Sequence, residues 1–174
     1  MQNILIVVDM QNDFIDGALG TKEAEAIVPK VKEKIQNFSG RVLFTRDTHE
    51  KNYLESREGK SLPVKHCIRD TKGWEISPEL QEFCEEKPMD KVTFGSIGLG
   101  ELLQKENEKE QIGSITLVGL CTDICVISNT LLLRAFLPEV EIKVDASCCA
   151  GVTPESHKTA LEAMKACQIV IEGK

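Results

Sequence analysis

Several features are scarce or missing in this sequence of 174 residues, and each absence argues against a class of protein. The longest apolar stretches, residues 4–8 and 112–118, are far too short to cross a bilayer, and no charged region of a secretory signal precedes the first. The 21 lysines and arginines are outnumbered by 28 aspartates and glutamates, and this net charge of −7 argues against nucleic acid as a partner. We therefore expect a cytoplasmic protein that binds neither membranes nor nucleic acid.

Internal repeats and low-complexity linkers are also lacking, so residues 1–174 are predicted to form a single domain. Cysteine, in contrast, is abundant, with seven residues. A disulfide framework is typical of short secreted chains, and the thiols here are therefore predicted to be reduced. Five of them are interpreted as small buried hydrophobic residues: Cys67, Cys84, Cys148, Cys149 and Cys167.

Hydrophobic patterns predict strands and helices that alternate along the chain. Apolar β-branched runs predict buried strands at residues 3–9, 41–46, 114–119, 141–145 and 168–172, with a short extended segment at 87–94. Helical spacing and capping signals predict helices at 22–38, 78–86, 99–110, 122–136 and from 153 onward. This alternation indicates an α/β fold with a mainly parallel sheet. Residues 47–77 show no clean period, and a loop of this length is usually functional or disordered.

Polar residues stand where several of these strands end. The strand ends are followed by Asp9, by Asp47 and His49, by Lys91, and by the segment that leads to Cys125. The ligand crevice of a parallel α/β sheet lies at the carboxyl ends of its strands, so these side chains are expected to converge there. For Asp9 alone, a helix-capping role is an equal alternative to a catalytic one.

Cys125 is the candidate nucleophile because it falls in the first turn of a predicted helix. A helix N-terminus and a nearby cation both stabilise a thiolate and lower the pKa of the thiol. The alternative is that Cys125 is one more buried thiol. Cys121 precedes it by four residues, which is not the spacing of a dithiol redox pair.

The long loop carries the candidate metal ligands, with two imidazoles and two carboxylates at Asp47, His49, Glu58 and His66. Mixed nitrogen and oxygen ligands suit Zn²⁺, Fe²⁺ or Mn²⁺. The alternative is that the two histidines are polar loop residues with no metal to bind.

Taken together, these residues resemble the isochorismatase-like cysteine hydrolases, and within them the nicotinamidase and pyrazinamidase branch. The resemblance covers nearly the whole chain, in the right order, and its most specific part is the nucleophile motif. The matching segments are residues 9–14 (DMQNDF), 47–49 (DTH), 63–67 (PVKHC), 91–94 (KVTF) and 119–126 (GLCTDICV). The fold that this implies is a three-layer α/β/α arrangement with a Rossmann-like sheet of about six strands.

The resemblance implies a catalytic triad of Asp9, Lys91 and Cys125. It also implies a cis peptide between Leu120 and Cys121, with an oxyanion hole formed by the backbone N–H groups of Cys121 and Cys125. In the implied reaction, Lys91 stabilises the thiolate and Asp9 moves protons while a small aromatic carboxamide is hydrolysed through a thioester. His157 is not needed for this chemistry and is predicted to be a surface or capping residue.

The resemblance also implies a divalent metal, with Zn²⁺ the first choice and iron or manganese the alternatives. The metal would be held by Asp47, His49, His66 and one further residue, for which Glu58 is preferred by its spacing and Glu55 is the rival. It would hold the pyridine nitrogen of nicotinamide and so direct the carboxamide toward the thiol. Phe14, Phe94 and Leu120 are expected to contact the substrate, although both phenylalanines would serve equally well as core residues.

Three segments depart from the family pattern and leave the substrate open. Leu62 stands where some members carry tryptophan, and residues 70–73 (DTKG) and 94–96 (FGS) also differ. One alternative is therefore an amidase acting on another small carboxamide or on an N-carbamoyl compound. A non-enzymatic metal-binding or thiol redox protein is the other alternative. Family members often form oligomers, and the apolar helix at 122–136 could form core or interface.

Overall fold

The computed structural model describes residues 1–173, and in this range six parallel strands form one sheet in the order β3-β2-β1-β4-β5-β6. Every pairing in the sheet is parallel, because each strand is joined to the next by a crossover. The strands are β1 (Gln2–Val8), β2 (Arg41–Asp47), β3 (Met89–Lys91), β4 (Ile112–Leu120), β5 (Glu141–Ala150) and β6 (Val170–Glu172).

Helices cover both faces of the sheet and so complete the predicted three layers. They are α1 (Asn12–Ile15), α2 (Lys22–Gln36), α3 (Arg57–Ser61), α4 (Pro78–Gln81), α5 (Ile97–Lys109), α6 (Ile127–Phe136) and α7 (Pro154–Ala166). A 3₁₀ turn (Tyr53–Glu55) and a π-helical turn (Thr122–Val126) add to these. Within residues 1–173, no helix is long and apolar enough to span a membrane.

The alternation of side chains along β1 shows how the two faces are filled. Ile4, Ile6 and Val8 join one hydrophobic cluster with residues of α5, α6 and α7. Leu5 and Val7 point the other way and join a second cluster with residues of α1, α2 and α4. Because both faces of the strand are buried, its sequence is a continuous apolar run rather than an alternating one.

Local signals in the sequence explain where the longer helices begin. The side chain of Thr21 accepts the N–H of Ala24 and caps α2, and Thr153 accepts the N–H of Ser156 at the start of α7. Pro154 occupies the first turn of α7, where its missing N–H costs nothing. The predicted start of α7 is therefore confirmed.

Several predicted boundaries were wrong. The helix predicted at 78–86 is only the four residues Pro78–Gln81, because Glu82 is followed by turns and bends. The helix predicted at 22–38 ends at Gln36, and the strand predicted at 141–145 continues to Ala150. The predicted burial of the structural thiols holds for Cys67, Cys148 and Cys149, but Cys84 is half-buried and Cys167 is exposed at the end of α7.

Candidate active site

The sheet order places the site at the point where the chain changes direction. Connections run outward from β1 to β2 on one side and from β4 to β5 on the other, so the carboxyl ends of β1 and β4 border a crevice. Asp9 follows β1, Asp47 ends β2, Lys91 ends β3 and Cys125 follows β4. Asp47 and Lys91 are direct partners in the β2–β3 register. The convergence expected from the sequence is therefore present.

Lys91 lies between the two other members of the predicted triad. Its Nζ is 2.7 Å from Asp9 Oδ2 and 3.3 Å from Cys125 Sγ. Asp47 Oδ1 is also 3.3 Å from the Lys91 ammonium, and all four side chains are almost fully buried. Asp9 Oδ1 accepts a hydrogen bond from Thr45 Oγ1 at 2.7 Å, and Oδ2 carries the ion pair with Lys91. An ionised carboxylate oxygen has more than one lone pair, so Oδ2 can also receive a proton.

Burial and charge set the protonation states of this group. Burial alone would lower the pKa of Lys91, but the charges of Asp9, Cys125 and Asp47 raise it, so the ammonium stays charged. Burial raises the pKa of Asp9 despite the opposing effect of Lys91. A carboxylate with a raised pKa is a stronger base, and it stands beside the thiol that must lose a proton.

The expected lowering of the Cys125 pKa is not found in the resting site. Burial, and next the charge of Asp9, raise the pKa of this thiol well above its ordinary value, although Lys91 opposes them. The local backbone also differs from the expected α-helix, because Thr122–Val126 form a π-helical turn before α6 begins. Cys125 therefore rests as a thiol and needs a base, which is the role available to Asp9.

The peptide between Leu120 and Cys121 is cis, as the resemblance implied. The preceding Gly119 has a φ of 117°, and a Cβ at this position would lie 2.2 Å from the carbonyl oxygen of Val8. Only glycine allows β4 to approach β1 this closely just before the nucleophile segment. The assignment of the Cys121 and Cys125 N–H groups to an oxyanion hole stays a prediction.

Four side chains beside the triad form a cluster with the geometry of a metal site. The potential ligand atoms of Asp47, His49, Glu58 and His66 all lie within 4.8 Å of one another. Nε2 of His49 is 2.9 Å from Asp47 Oδ2 and 3.5 Å from Glu58 Oε1, and Nε2 of His66 is 3.6 Å and 3.7 Å from the same two oxygens. Tetrahedral ligands with bonds of about 2.1 Å stand roughly 3.4 Å apart, so the donor set fits an ion such as Zn²⁺.

Neighbouring groups hold these ligands in place. Nδ1 of His66 contacts the carbonyl of Val64 at 2.8 Å, which leaves Nε2 to face the cluster. The side-chain amide of Gln11 donates to the carbonyl of Asp47 at 2.8 Å and accepts the N–H of Asp47 at 2.7 Å. Asp13 Oδ2 accepts the N–H of Cys67 at 2.8 Å, next to His66. Glu55, the rival fourth ligand, is not part of the cluster.

A cavity of about 360 Å³ opens beside Cys125 and reaches the metal-binding cluster. Its walls include the three residues predicted to contact substrate, Phe14, Phe94 and Leu120. The ring of Phe14 is 5.5 Å from that of His66, and Phe94 is 44% exposed at the rim. The predicted core alternative therefore fails for Phe94, while Phe14 serves both core and cavity wall.

Three positioning contacts were not found by sequence reasoning. Thr45 supports Asp9, as described above, and Asn129 joins the nucleophile turn to the rim by donating to the carbonyls of Cys125 and Phe94 at 2.8 Å and 3.1 Å. His157, predicted to be a surface or capping residue, is half-buried, and its Nδ1 is 2.7 Å from the hydroxyl oxygen of the fully buried Thr122. For Asn129, the sequence did contain a signal, because a polar residue stands within a largely apolar helix.

Comparisons with known proteins agree in family and fold. The sequence profile of the isochorismatase domain family matches residues 3–174. An uncharacterized isochorismatase family protein of Bacillus subtilis, PncA, is 31% identical over an alignment of 175 positions that covers 92% of this chain and 93% of that protein. The pyrazinamidase of Pyrococcus horikoshii in complex with zinc has 29% identity and a TM-score of 0.81, with 98% of each chain covered. The nicotinamidase/pyrazinamidase PncA of B. subtilis has 28% identity and a TM-score of 0.78, with 99% of this chain and 100% of that chain covered.

Proposed function

Because the chain belongs to the isochorismatase family, we propose that it is a cysteine amidohydrolase that cleaves nicotinamide to nicotinate and ammonia. The similar structures from P. horikoshii and B. subtilis carry the names pyrazinamidase and nicotinamidase/pyrazinamidase, and both names denote hydrolysis of a small aromatic carboxamide. The observation that carries the proposal is the buried contact of Lys91 with both Asp9 and Cys125, of which Cys125 also lines the cavity.

In the proposed first half-reaction, Asp9 takes the proton from Cys125 Sγ, and the charged Lys91 stabilises the resulting thiolate. The thiolate attacks the carboxamide carbon, and the developing oxyanion accepts hydrogen bonds from the N–H groups of Cys121 and Cys125. Asp9 then returns its proton to the leaving nitrogen. The carbon–nitrogen bond breaks, ammonia leaves, and a thioester with Cys125 remains.

Hydrolysis of the thioester reuses the same groups. Asp9 removes a proton from a water molecule that attacks the thioester carbon, and the carbon–sulfur bond breaks. The carboxylic acid product leaves, and the proton returns to the Cys125 sulfur. The raised pKa of Asp9 makes the carboxylate a better proton acceptor, and the carboxyl so protonated is the acid that supplies the leaving nitrogen and later the sulfur.

The proposed metal ligands are Asp47, His49, Glu58 and His66, whose spacing fits zinc, with iron and manganese as alternatives. A metal bound there would act as a Lewis acid that binds the pyridine nitrogen and orients the substrate. Phe14 and Leu120 would pack against the ring from inside the cavity, and Phe94 would cover it at the rim.

The cellular setting is proposed from the same residues. All seven cysteines are free thiols, which favours a reducing compartment, and we propose the cytoplasm. Self-association stays a prediction. The non-enzymatic alternative leaves the buried contact between Lys91 and Asp9 unexplained, and nothing specific in the site favours an N-carbamoyl substrate over an aromatic amide.

The test is ammonia release from nicotinamide by the wild type and by Cys125→Ala, each after chelation and again after addition of Zn²⁺ or Mn²⁺. Release that requires both Cys125 and the metal is the expected result. Absence of release from the wild type under every condition would remove nicotinamide as the substrate. Equal release by both proteins would show that Cys125 is not the nucleophile.

A further inference from the structure

The cavity beside Cys125 is wider than its metal-binding and catalytic groups require. Its volume of about 360 Å³ falls within the roughly 300–1,000 Å³ of sites that hold drug-sized ligands, which are larger than a single pyridine ring. Asp47, at the end of β2, marks one side of the cavity, and Cys125 follows β4. Gly151 and Val152, directly after β5, mark the opposite side. The cavity thus crosses the ends of four neighbouring strands, β2, β1, β4 and β5.

Strand spacing shows how much of this width one ring occupies. Adjacent strands lie about 4.8 Å apart, so β2 and β4 are separated by roughly 10 Å and β5 lies one interval beyond. With its ring nitrogen facing the metal-binding cluster and its carbonyl carbon about 3.5 Å from the Cys125 sulfur, a pyridine carboxamide would occupy the space between β2 and β4. The part of the cavity toward β5 is left over.

This remaining part, which we call the extension, is lined by Leu19, Thr21, Ala24, Gly151 and Val152. The first three precede or begin α2, and α2 packs chiefly against β5, so both walls belong to the same side of the cavity. No charged group lines the extension, and its single hydroxyl, on Thr21, already accepts the N–H of Ala24. It is therefore suited to an apolar group without hydrogen-bonding needs.

The extension is open at its outer end. Val152 is 52% exposed, so a group placed against it can reach solvent rather than a closed wall. On the opposite rim, Leu62 is 38% exposed, so an accessible apolar side chain lines the cavity there as well. Both features favour a substrate longer than a single ring.

We propose that the extension binds an apolar substituent on the substrate ring, so that the substrate class includes ring-substituted and fused-ring aromatic carboxamides. The proposal rests on the amidohydrolase function and specifies its substrate class. The reaction is the same hydrolysis of the carboxamide, and the substituent gains affinity by leaving water for the apolar walls.

The test compares ammonia release from nicotinamide with release from nicotinamides that carry a methyl group, a phenyl group or a fused benzene ring, each with Zn²⁺ present. Val152→Trp and Ala24→Leu fill the extension from its two walls. Val170→Trp is the matched control, since Val170 is a similarly exposed valine, at 40%, on the distant strand β6. Thermal unfolding verifies that each variant is folded.

We expect the wild type to process the larger amides with kcat/KM at least about one tenth of that for nicotinamide. The ratio of the two kcat/KM values should fall at least about tenfold in both filled variants and stay unchanged in Val170→Trp. If the wild type turns over nicotinamide but its kcat/KM for the larger amides is below about one tenth of that for nicotinamide, the proposed extension is wrong and the proposed function stands. The same holds if the ratio of the two kcat/KM values is unchanged in Val152→Trp and Ala24→Leu. No turnover of any amide would overturn the proposed function together with it.

Discussion

Gln11 holds Asp47 by both of its backbone polar groups. The side-chain amide donates to the carbonyl of Asp47 at 2.8 Å and accepts its N–H at 2.7 Å, and it also donates to the carbonyl of Trp74 at 2.8 Å. Gln11 is completely buried, so no water can replace these bonds. The residue thus links the segment after β1 to the end of β2, where the proposed metal site begins.

Replacing Gln11 with leucine should weaken both the fold and the metal site. The change keeps the approximate volume but leaves buried backbone groups unpaired, at a cost of about 1–3 kcal/mol in the free energy of unfolding. Zinc affinity should fall roughly 10- to 100-fold, because Asp47 loses its positioning partner. Urea unfolding and zinc titration measure the two effects, and Gln81→Leu, at an exposed glutamine, is the control. Unchanged zinc affinity in Gln11→Leu would contradict the positioning role.

The fourth metal ligand can be decided by comparing two glutamates on neighbouring turns. Glu58 Oε1 lies 3.5 Å and 3.7 Å from the two histidine Nε2 atoms, whereas Glu55 lies outside the cluster. Glu58→Gln should lower zinc affinity by at least about tenfold, and Glu55→Gln should leave it unchanged. Competition with a chromophoric chelator measures both affinities. A larger loss in Glu55→Gln would move the ligand assignment to that residue.

Asp9→Asn should move turnover and the Cys125 pKa in ways that a purely structural role would not. Loss of the base lowers kcat/KM by about 10²- to 10⁴-fold. Because the Asp9 charge raises the pKa of Cys125, its removal should lower that pKa. Ultraviolet titration of the thiolate, with the Cys125→Ala protein subtracted, measures the shift, and the exposed Asp16→Asn is the control. A Cys125 pKa that rises or stays constant would disprove the electrostatic coupling.

The parts of the site that could be predicted are those tied to strand ends. Asp9 and Cys125 come after apolar runs, and Lys91 ends the short strand β3; parallel pairing brings such positions together whatever the details of the loops. The metal-binding cluster was predictable in composition for the same reason, since Asp47 ends β2. The prediction of Glu58 rather than Glu55 as the fourth ligand needed the resemblance as well. A loop without a hydrophobic period does not reveal which side chains face inward.

The remaining features depend on three-dimensional surroundings that local patterns do not encode. The pKa of Cys125 is raised because burial and Asp9 outweigh Lys91, and that balance requires distances. The π-helical turn at Thr122–Val126 retains the apolar pattern of a helix, so periodicity alone predicts an α-helix there. Asn129 was overlooked because its partners include the carbonyl of Phe94, 35 residues away in the chain.

The ion pair between Lys34 and Asp145 should make stability depend on pH. Lys34 Nζ is 2.7 Å from Asp145 Oδ2 and joins α2 to β5. Burial alone would raise the pKa of Asp145, but hydrogen bonds from Lys34 and Ser147 outweigh burial and hold the pKa below its ordinary value of 3.8. A depressed folded-state pKa contributes stability that is fully present above the ordinary value and is lost as pH falls through the folded value.

Lys34→Met should therefore lower the free energy of unfolding by about 0.5–1 kcal/mol near neutral pH, since the pair is partly exposed. The difference from the wild type should shrink as the pH falls below about 4, where the unfolded-state carboxyl begins to take up its proton. Urea unfolding across this range measures it. Lys32→Met is the matched control, because the partner of Lys32, Glu82, is 64% exposed and that pair should contribute little. A difference that persists at acidic pH would mean that Lys34 stabilises the protein through packing of its aliphatic stem rather than through the charge of Asp145.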